Sequence, residues 1–261
     1  MHSKIESISP EIARKYLEKN IERNRTLQEN HVALLAREMS EGRWKTNGQA
    51  IIFSKDGHLI DGQHRLAAII KSGCTIDIFV VRGVESSAFD TIDTGKKRKP
   101  SDALSILGEK NCTLLAASLI VVDRYSTGGM FRHERYSPGK VEELLGEHPG
   151  IRRSVELAGR SKLIPGSVLA GCHYFFTKRD QAAADRFVHD LMKGANLDDS
   201  DPVYVLRERL MKNQSLRQKL SAEFMMAITI KAWNARRANR SIKLLHFTET
   251  GDNRDEFPMI Q

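Results

Sequence analysis

Cysteine is scarce. Cys74, Cys112 and Cys172 are the three in 261 residues, far apart and in no Cys-x-x-Cys pair. So sparse and odd a set excludes a disulfide-built secreted fold and a structural zinc site, and it fits reduced thiols in a cytoplasm. Long apolar runs are missing too. None approaches the roughly 18 residues that a bilayer span needs, so no membrane partner is expected. The N-terminal residues 1–6 lack the apolar core of a signal peptide. With 7 Pro, 18 Gly and no repeat or low-complexity stretch, the chain is neither fibrous nor disordered. What it does have is 40% hydrophobic residues, enough for a core. Its length suits one large domain or two small ones.

Charge is distributed unevenly. Lys and Arg number 41 against 33 Asp and Glu, a formal net charge of +8. One basic stretch contains Arg207, Arg209, Lys212, Arg217, Lys219, Lys231, Arg236, Arg237, Arg240 and Lys243, opposed only by Glu208 and Glu223. A second is Lys96-Lys97-Arg98-Lys99. Localised positive fields draw phosphate backbones, so both stretches are candidate DNA contacts. The plainer alternative is a solvated surface that aids solubility.

The first hundred residues alternate helix and strand signals. Apolar spacing predicts helices over 10–17, 30–39 and 66–71, the second ended by Gly42 and the third by Gly73. Strands are predicted over 49–53, 59–60 and 76–81, with Asp56-Gly57 as a turn between the first two. After Pro100 only helix signals remain. Asn111 is placed to cap a helix reaching 122, and Asp180 one reaching 192. Ser137-Pro138 and Asp201-Pro202 each set a capping residue before a proline suited to a first helical turn. Pro165-Gly166 breaks the chain before a helix over 167–176. Residues 221–238 are apolar on most sides, which places them at the centre of the helical part. The expected fold is an α/β domain over 1–105 followed by an all-helical domain with a basic surface over 106–261.

The stretch that carries chemistry is Leu59-Ile60-Asp61-Gly62-Gln63-His64-Arg65-Leu66-Ala67-Ala68. A strand ends, a glycine permits a tight turn, and a helix begins. The first amides of a helix have no internal partner, and the dipole puts partial positive charge there, so such an end accepts phosphate. Gly62 would let a ligand approach the backbone, while Gln63, His64 and Arg65 add donors, Arg65 with a fork suited to two phosphate oxygens. Asp61 would repel phosphate and is better suited to orienting His64 or Arg65, or to holding a metal. Without more, an N-cap aspartate and a polar first turn would explain the same residues.

Gly62-x-x-Arg65-x-x-Ala68, between a short strand and an apolar one, resembles the phosphate box of the ParB/sulfiredoxin superfamily. Asn24-Arg25, then Val32-x-x-Leu35-Ala36 and Gly42, resemble its opening arginine motif and first helix. Asn47-Gly48-Gln49-Ala50-Ile51-Ile52 stands where its first strand would. Ile92-Asp93-Thr94-Gly95-Lys96 and Pro100-Ser101-Asp102-Ala103 stand where ParB-type proteins carry a Glu-Asn-x-x-Arg box. The resemblance covers about residues 5–105. It implies a ParB/sulfiredoxin-like domain with a nucleoside triphosphate, ATP or CTP, as its Mg²⁺ complex. Arg25, Gly62, Gln63, His64 and Arg65 would bind it. Asp61, His64 and Asp93 would be the catalytic candidates, Asp93 also as a metal ligand. Members include CTP-hydrolysing DNA clamps, ATP-using sulfiredoxins, kinases and nucleases. Gln63 stands where a sulfiredoxin needs cysteine, which discards that chemistry. The single-arginine box and the lack of a recognisable helix-turn-helix depart from segregation ParBs. The whole chain, with Lys231-Ala232-Trp233-Asn234-Ala235 and Glu256-Phe257-Pro258, looks more like phage- and plasmid-encoded ParB-like proteins.

Other residues have simpler explanations. Asp93-Thr94-Gly95 is the aspartic-protease tripeptide, but four following cations make a poor setting for it. His133, His148, His173 and His189 have no partners at metal spacing and are expected as surface or core histidines. Cys74 is expected as a small buried hydrophobe, and Trp44 either packs on the first helix or stacks on a base. Two function classes remain. One is a nucleotide-binding, DNA-associated protein, a triphosphatase or nuclease, with Lys96, Lys97, Arg98, Lys99, Arg236 and Arg237 on DNA and a homodimer among its allowed assemblies. The other is a small-molecule or nucleotide kinase on the same fold, without DNA.

Overall fold

The computed structural model describes residues 1–21, 24, 26–86, 88, 92, 99–131, 134–251 and 253–261. Among them are a mixed four-stranded sheet and eleven helices, an α/β fold. No helix among them is long and apolar enough to cross a membrane. The chain divides into two compact units, residues 1–98 with 133–139, and residues 99–132 with 140–261.

The first unit runs β1 (His2–Ile8), α1 (Pro10–Leu17), α2 (Glu29–Ser40), β2 (Ala50–Ser54), β3 (Leu59–Asp61), α3 (Gln63–Ser72) and β4 (Ile76–Val84). The sheet order is β1-β4-β2-β3. β4 pairs antiparallel with β1 and parallel with β2, and β2 pairs antiparallel with β3. Strand β4 alternates, with Ile76, Ile78 and Val80 buried, as a half-covered strand should. They share a core with Ile51 and Phe53 of β2, Val32, Ala36 and Met39 of α2, and Leu66 and Ile69 of α3. Those helical positions lie three or four apart, one face of each helix. Cys74 and Trp44 pack on this core half-buried.

Strand β1 is absent from the sequence reading, and its composition explains why. Its Ile5 is 53% exposed and only Ile8 is fully enclosed, so it shows no apolar alternation. Long-range bonds hold it instead. Arg82 of β4 donates to both carboxylate oxygens of Glu6 and to the Tyr16 hydroxyl, which itself donates to Glu6 at 2.7 Å. The guanidinium also lies over the Tyr16 and Phe53 rings, 5.6 and 5.4 Å from their centroids.

The second unit contains α4 (Pro100–Ile106), α5 (Cys112–Ser126), α6 (Pro138–Glu147, from residue 140), α7 (Ile151–Ala158), α8 (Gly166–Thr177), α9 (Gln181–Lys193), α10 (Pro202–Ser215) and α11 (Ala222–Arg237). Asp180, Asp201 and Ser221 cap α9, α10 and α11 by accepting the amides of Ala183, Val203 and Phe224. Asn111 does not cap. It precedes α5 but sits at φ 53° with no side-chain bond to the helix. Helix α11 is enclosed along most of its length, and its Trp233 stacks on Phe176 at 4.2 Å with Phe187 edge-on at 5.7 Å. Helix α4 groups with this unit, so the division falls after residue 98. The return of 133–139 to the first unit has no sequence signal. There Arg37 of α2 donates to the Glu134 carboxylate and the Arg135 carbonyl, each at 2.5 Å, and lies over the Tyr136 ring.

Burial raises the pKa of the Glu6 carboxyl, but the bonds from Arg82 and Tyr16 outweigh it and hold the group down at about 2, from 4.5. A depressed carboxylate stabilises the fold fully above its unfolded pKa and loses that contribution as pH falls through the folded value. Glu6→Gln should therefore cost about 1–3 kcal/mol at pH 7, as for a lost charge-assisted bond. It should also flatten the acid loss of stability between pH 4.5 and 2. Urea titrations at several pH values check both.

Candidate functional site

The Asp61–Arg65 segment is a strand-turn-helix. Gly62, at φ 103°, is the N-cap of α3, and Asp61 ends β3. The helix starts at Gln63, three residues before the expected Leu66. The glycine is required by packing. A β-carbon on residue 62 would lie 3.0 Å from Ile51 Cα and 3.1 Å from its Cγ1. The close neighbour that the missing side chain admits is strand β2.

Each side chain of the turn has a protein partner. Arg65 Nη2 donates to Asp61 Oδ2 at 2.7 Å and to the Ala50 carbonyl at 2.6 Å. Asp61 thus orients Arg65, and the pair ties α3 to the start of β2. Arg65 is a largely buried side chain, and its Nε is enclosed with no hydrogen-bond partner among the described residues. Gln63 is buried, and its Oε1 accepts from Asn20 Nδ2 at 3.0 Å. Asn24 donates to Asn20 Oδ1 and to the Leu59 carbonyl, closing an amide network over the end of β3. His64 Nε2 accepts the backbone N–H of Gln28 at 3.1 Å, which in the neutral ring leaves the proton on Nδ1.

Gln28 is the N-cap of α2, so that bond joins the starts of two helices. His31, in the first turn of α2, has its ring centre 5.3 Å from that of His64. At the far ends Ser72 of α3 contacts Met39 of α2, Oγ to Sγ 3.9 Å. The two helices therefore run parallel with their N-termini together. Like dipole ends side by side repel, and an anion at the shared end offsets that repulsion. His31 gives no motif signal in the sequence, and only its turn position relative to His64 in space reveals it.

Other expected site residues fare differently. Arg25, Asp93, Lys96, Lys97, Arg98 and His133 lie outside the described residues, as do Thr94 and Gly95. Lys99 is exposed at the N-cap of α4. Among the described residues no group of three or more His, Cys, Asp or Glu is placed to hold a metal. Arg236 and Arg237 do not offer free charge. Arg236 pairs with Asp190 at 2.6 Å and with Asp201 at 3.5 Å, and Arg237 with Asp180 at 2.9 Å. The Arg236–Asp201 pair sets the end of α11 beside the start of α10. The basic stretch is therefore spread over a helical hairpin, with Arg240 and Lys243 following one end and Lys212, Arg217 and Lys219 at the other. These last three are exposed.

Gly62→Ala tests the turn. It adds left-handed backbone strain to a contact with β2 backbone, and should cost about 2–4 kcal/mol from both causes. Thermal unfolding reads this directly; a shift within error would remove Gly62 as the determinant of α3's position. Compared with protein-family models, with curated proteins and with solved structures, the chain matches none.

Proposed function

We propose that the first unit binds the phosphates of a nucleotide, ATP or CTP with Mg²⁺, where α2 and α3 begin, as the resemblance to ParB/sulfiredoxin-like domains implies. The observation that carries this reading is the parallel pairing of the two helices, 12 and 10 residues long, with joined N-termini. The enclosed Arg65 Nε, without a partner among the described residues, is a donor within the same motif. Gln63, His64 and the amides after Gly62 complete the donor set, and Asp61 positions Arg65. Arg25 and Asp93 keep the roles the resemblance gives them, a phosphate cation and a metal ligand.

Calorimetry with ATP, CTP, GTP and pyrophosphate, each with and without Mg²⁺, tests the site. A ligand at a hundred times its Kd should raise stability by about 2.7 kcal/mol. Glu29, exposed in the first turn of α2, opposes an anion there. Glu29→Gln should tighten binding about two- to fivefold, the equivalent of about 0.3–1 kcal/mol at a helix start. No response to any of these ligands would overturn the reading. Phosphate release by the wild type alone marks a triphosphatase, and release only with an added acceptor marks the kinase alternative.

DNA association is a second reading, favoured by exposed Lys212, Arg217 and Lys219 at the α10–α11 connection. Reversing all three to Glu should weaken binding to every duplex alike and make log affinity fall less steeply with log salt. They are a cleaner target than Arg236 and Arg237, whose reversal would break ion pairs within the fold. Wild-type protein that ignores duplex and single strands at low salt would end this reading.

A further inference from the structure

The helical unit encloses a serine, a histidine and an aspartate in hydrogen-bonded sequence. His173 of α8 is fully buried, and its Nδ1 lies 2.8 Å from Ser154 Oγ of α7, itself 1% exposed. Its Nε2 lies 2.9 Å from Asp185 Oδ1 of α9, and the other oxygen of Asp185 accepts from Arg153 of α7 at 2.6 Å. The three groups are those of a hydrolase triad, but the two ring nitrogens are exchanged, and serine and ring are enclosed, so no acyl group can reach the hydroxyl. What the arrangement does join is three consecutive helices through one imidazole.

We propose that Ser154, His173 and Asp185 form an acid-sensitive latch that holds α7, α8 and α9 together near neutral pH and releases them as the ring takes up a proton. With the ring neutral, the bonds are complete. The serine hydroxyl donates to Nδ1, and Nε2–H donates to a carboxylate already balanced by Arg153. Protonation puts a donor on Nδ1, facing a hydroxyl that must turn to accept. It also leaves a cation on the enclosed ring, which must share one half-exposed carboxylate with Arg153. The charged groups acting on the ring are Asp185 from α9 and Arg153 from α7. Helices α5 and α11 also pack on α8, and among the described residues neither adds a charge that acts on the ring.

Burial lowers the ring's pKa below the ordinary 6.5, against the opposing pull of Asp185. A group depressed in this way stabilises the fold above 6.5 and withdraws that contribution as pH falls toward its folded value. Over that interval each pH unit should lower the folded-to-open ratio about tenfold.

Amide exchange at pH 7 and 5.5, corrected for intrinsic rates, reads the latch directly. Wild-type amides of α7 and α9 should lose protection at the lower pH, and those of His173→Gln should not. Should that variant fail to fold, the wild-type ring can be titrated by NMR beside Asp185→Asn, in which loss of the carboxylate should move the ring to a still lower pKa. Equal protection at both pH values, a ring titrating at 6.5 or above, or labelling of Ser154 by a fluorophosphonate at pH 7 would each overturn the proposal.

Discussion

At φ 103° and 3.0 Å from Ile51, residue 62 has room for a hydrogen and nothing larger. Strand β2 can therefore pass directly beneath the turn that launches α3. From that contact the rest of the first unit follows. Arg65 comes within reach of the Ala50 carbonyl, Gln63 reaches Asn20, and His64 meets the amide at the start of α2. The motif residues are thus mostly structural in their direct contacts. Their chemical consequence comes from what they align, two helix starts whose partial charges add.

The second unit is ordered by different means. Helix α11 is apolar on nearly every side and is covered by α8 and α10, with its indole stacked on one phenyl ring and met edge-on by another. Its indole N–H donates to the Gln261 carbonyl, and Asn234 bonds Met259 and Gln261, so the final residues lie against it. Acidic caps serve twice there. Asp180 and Asp201 each accept a helix amide while pairing with an arginine at the end of α11.

Elements whose side chains repeat at a clear period were legible in the sequence. The pattern 10–17 coincides with α1, and Asp180 and Asp201 cap where the sequence places them. Strand β1 was not legible, because an edge strand fixed by Glu6 and Arg82 needs no apolar period. Helix α7 was hidden as well, a short helix with two arginines in its first turn. The Asp61–Arg65 segment was legible as a strand-turn-helix, but the reason for Gly62 was not, since nothing in the chain announces that Ile51 lies against it. Charge misled in a related way. A run of cations along the chain becomes two separated ends once α10 and α11 fold back, and three aspartates from other segments neutralise part of it. His173 shows the limit most plainly, because both of its partners come from neighbouring helices 12 or more residues away.

The excursion of residues 133–139 has a consequence for how this protein is made. A chain emerging from the ribosome presents all seven sheet and helix segments of the first unit by residue 84, yet Arg37 must wait for Glu134 and Arg135. About fifty further residues, including the whole of α5, are synthesised in between. The α/β unit is thus finished only after the other has begun, so nascent-chain folding cannot proceed strictly one unit at a time. A fragment cut at residue 98 would likewise leave that guanidinium without the carboxylate and carbonyl that receive it.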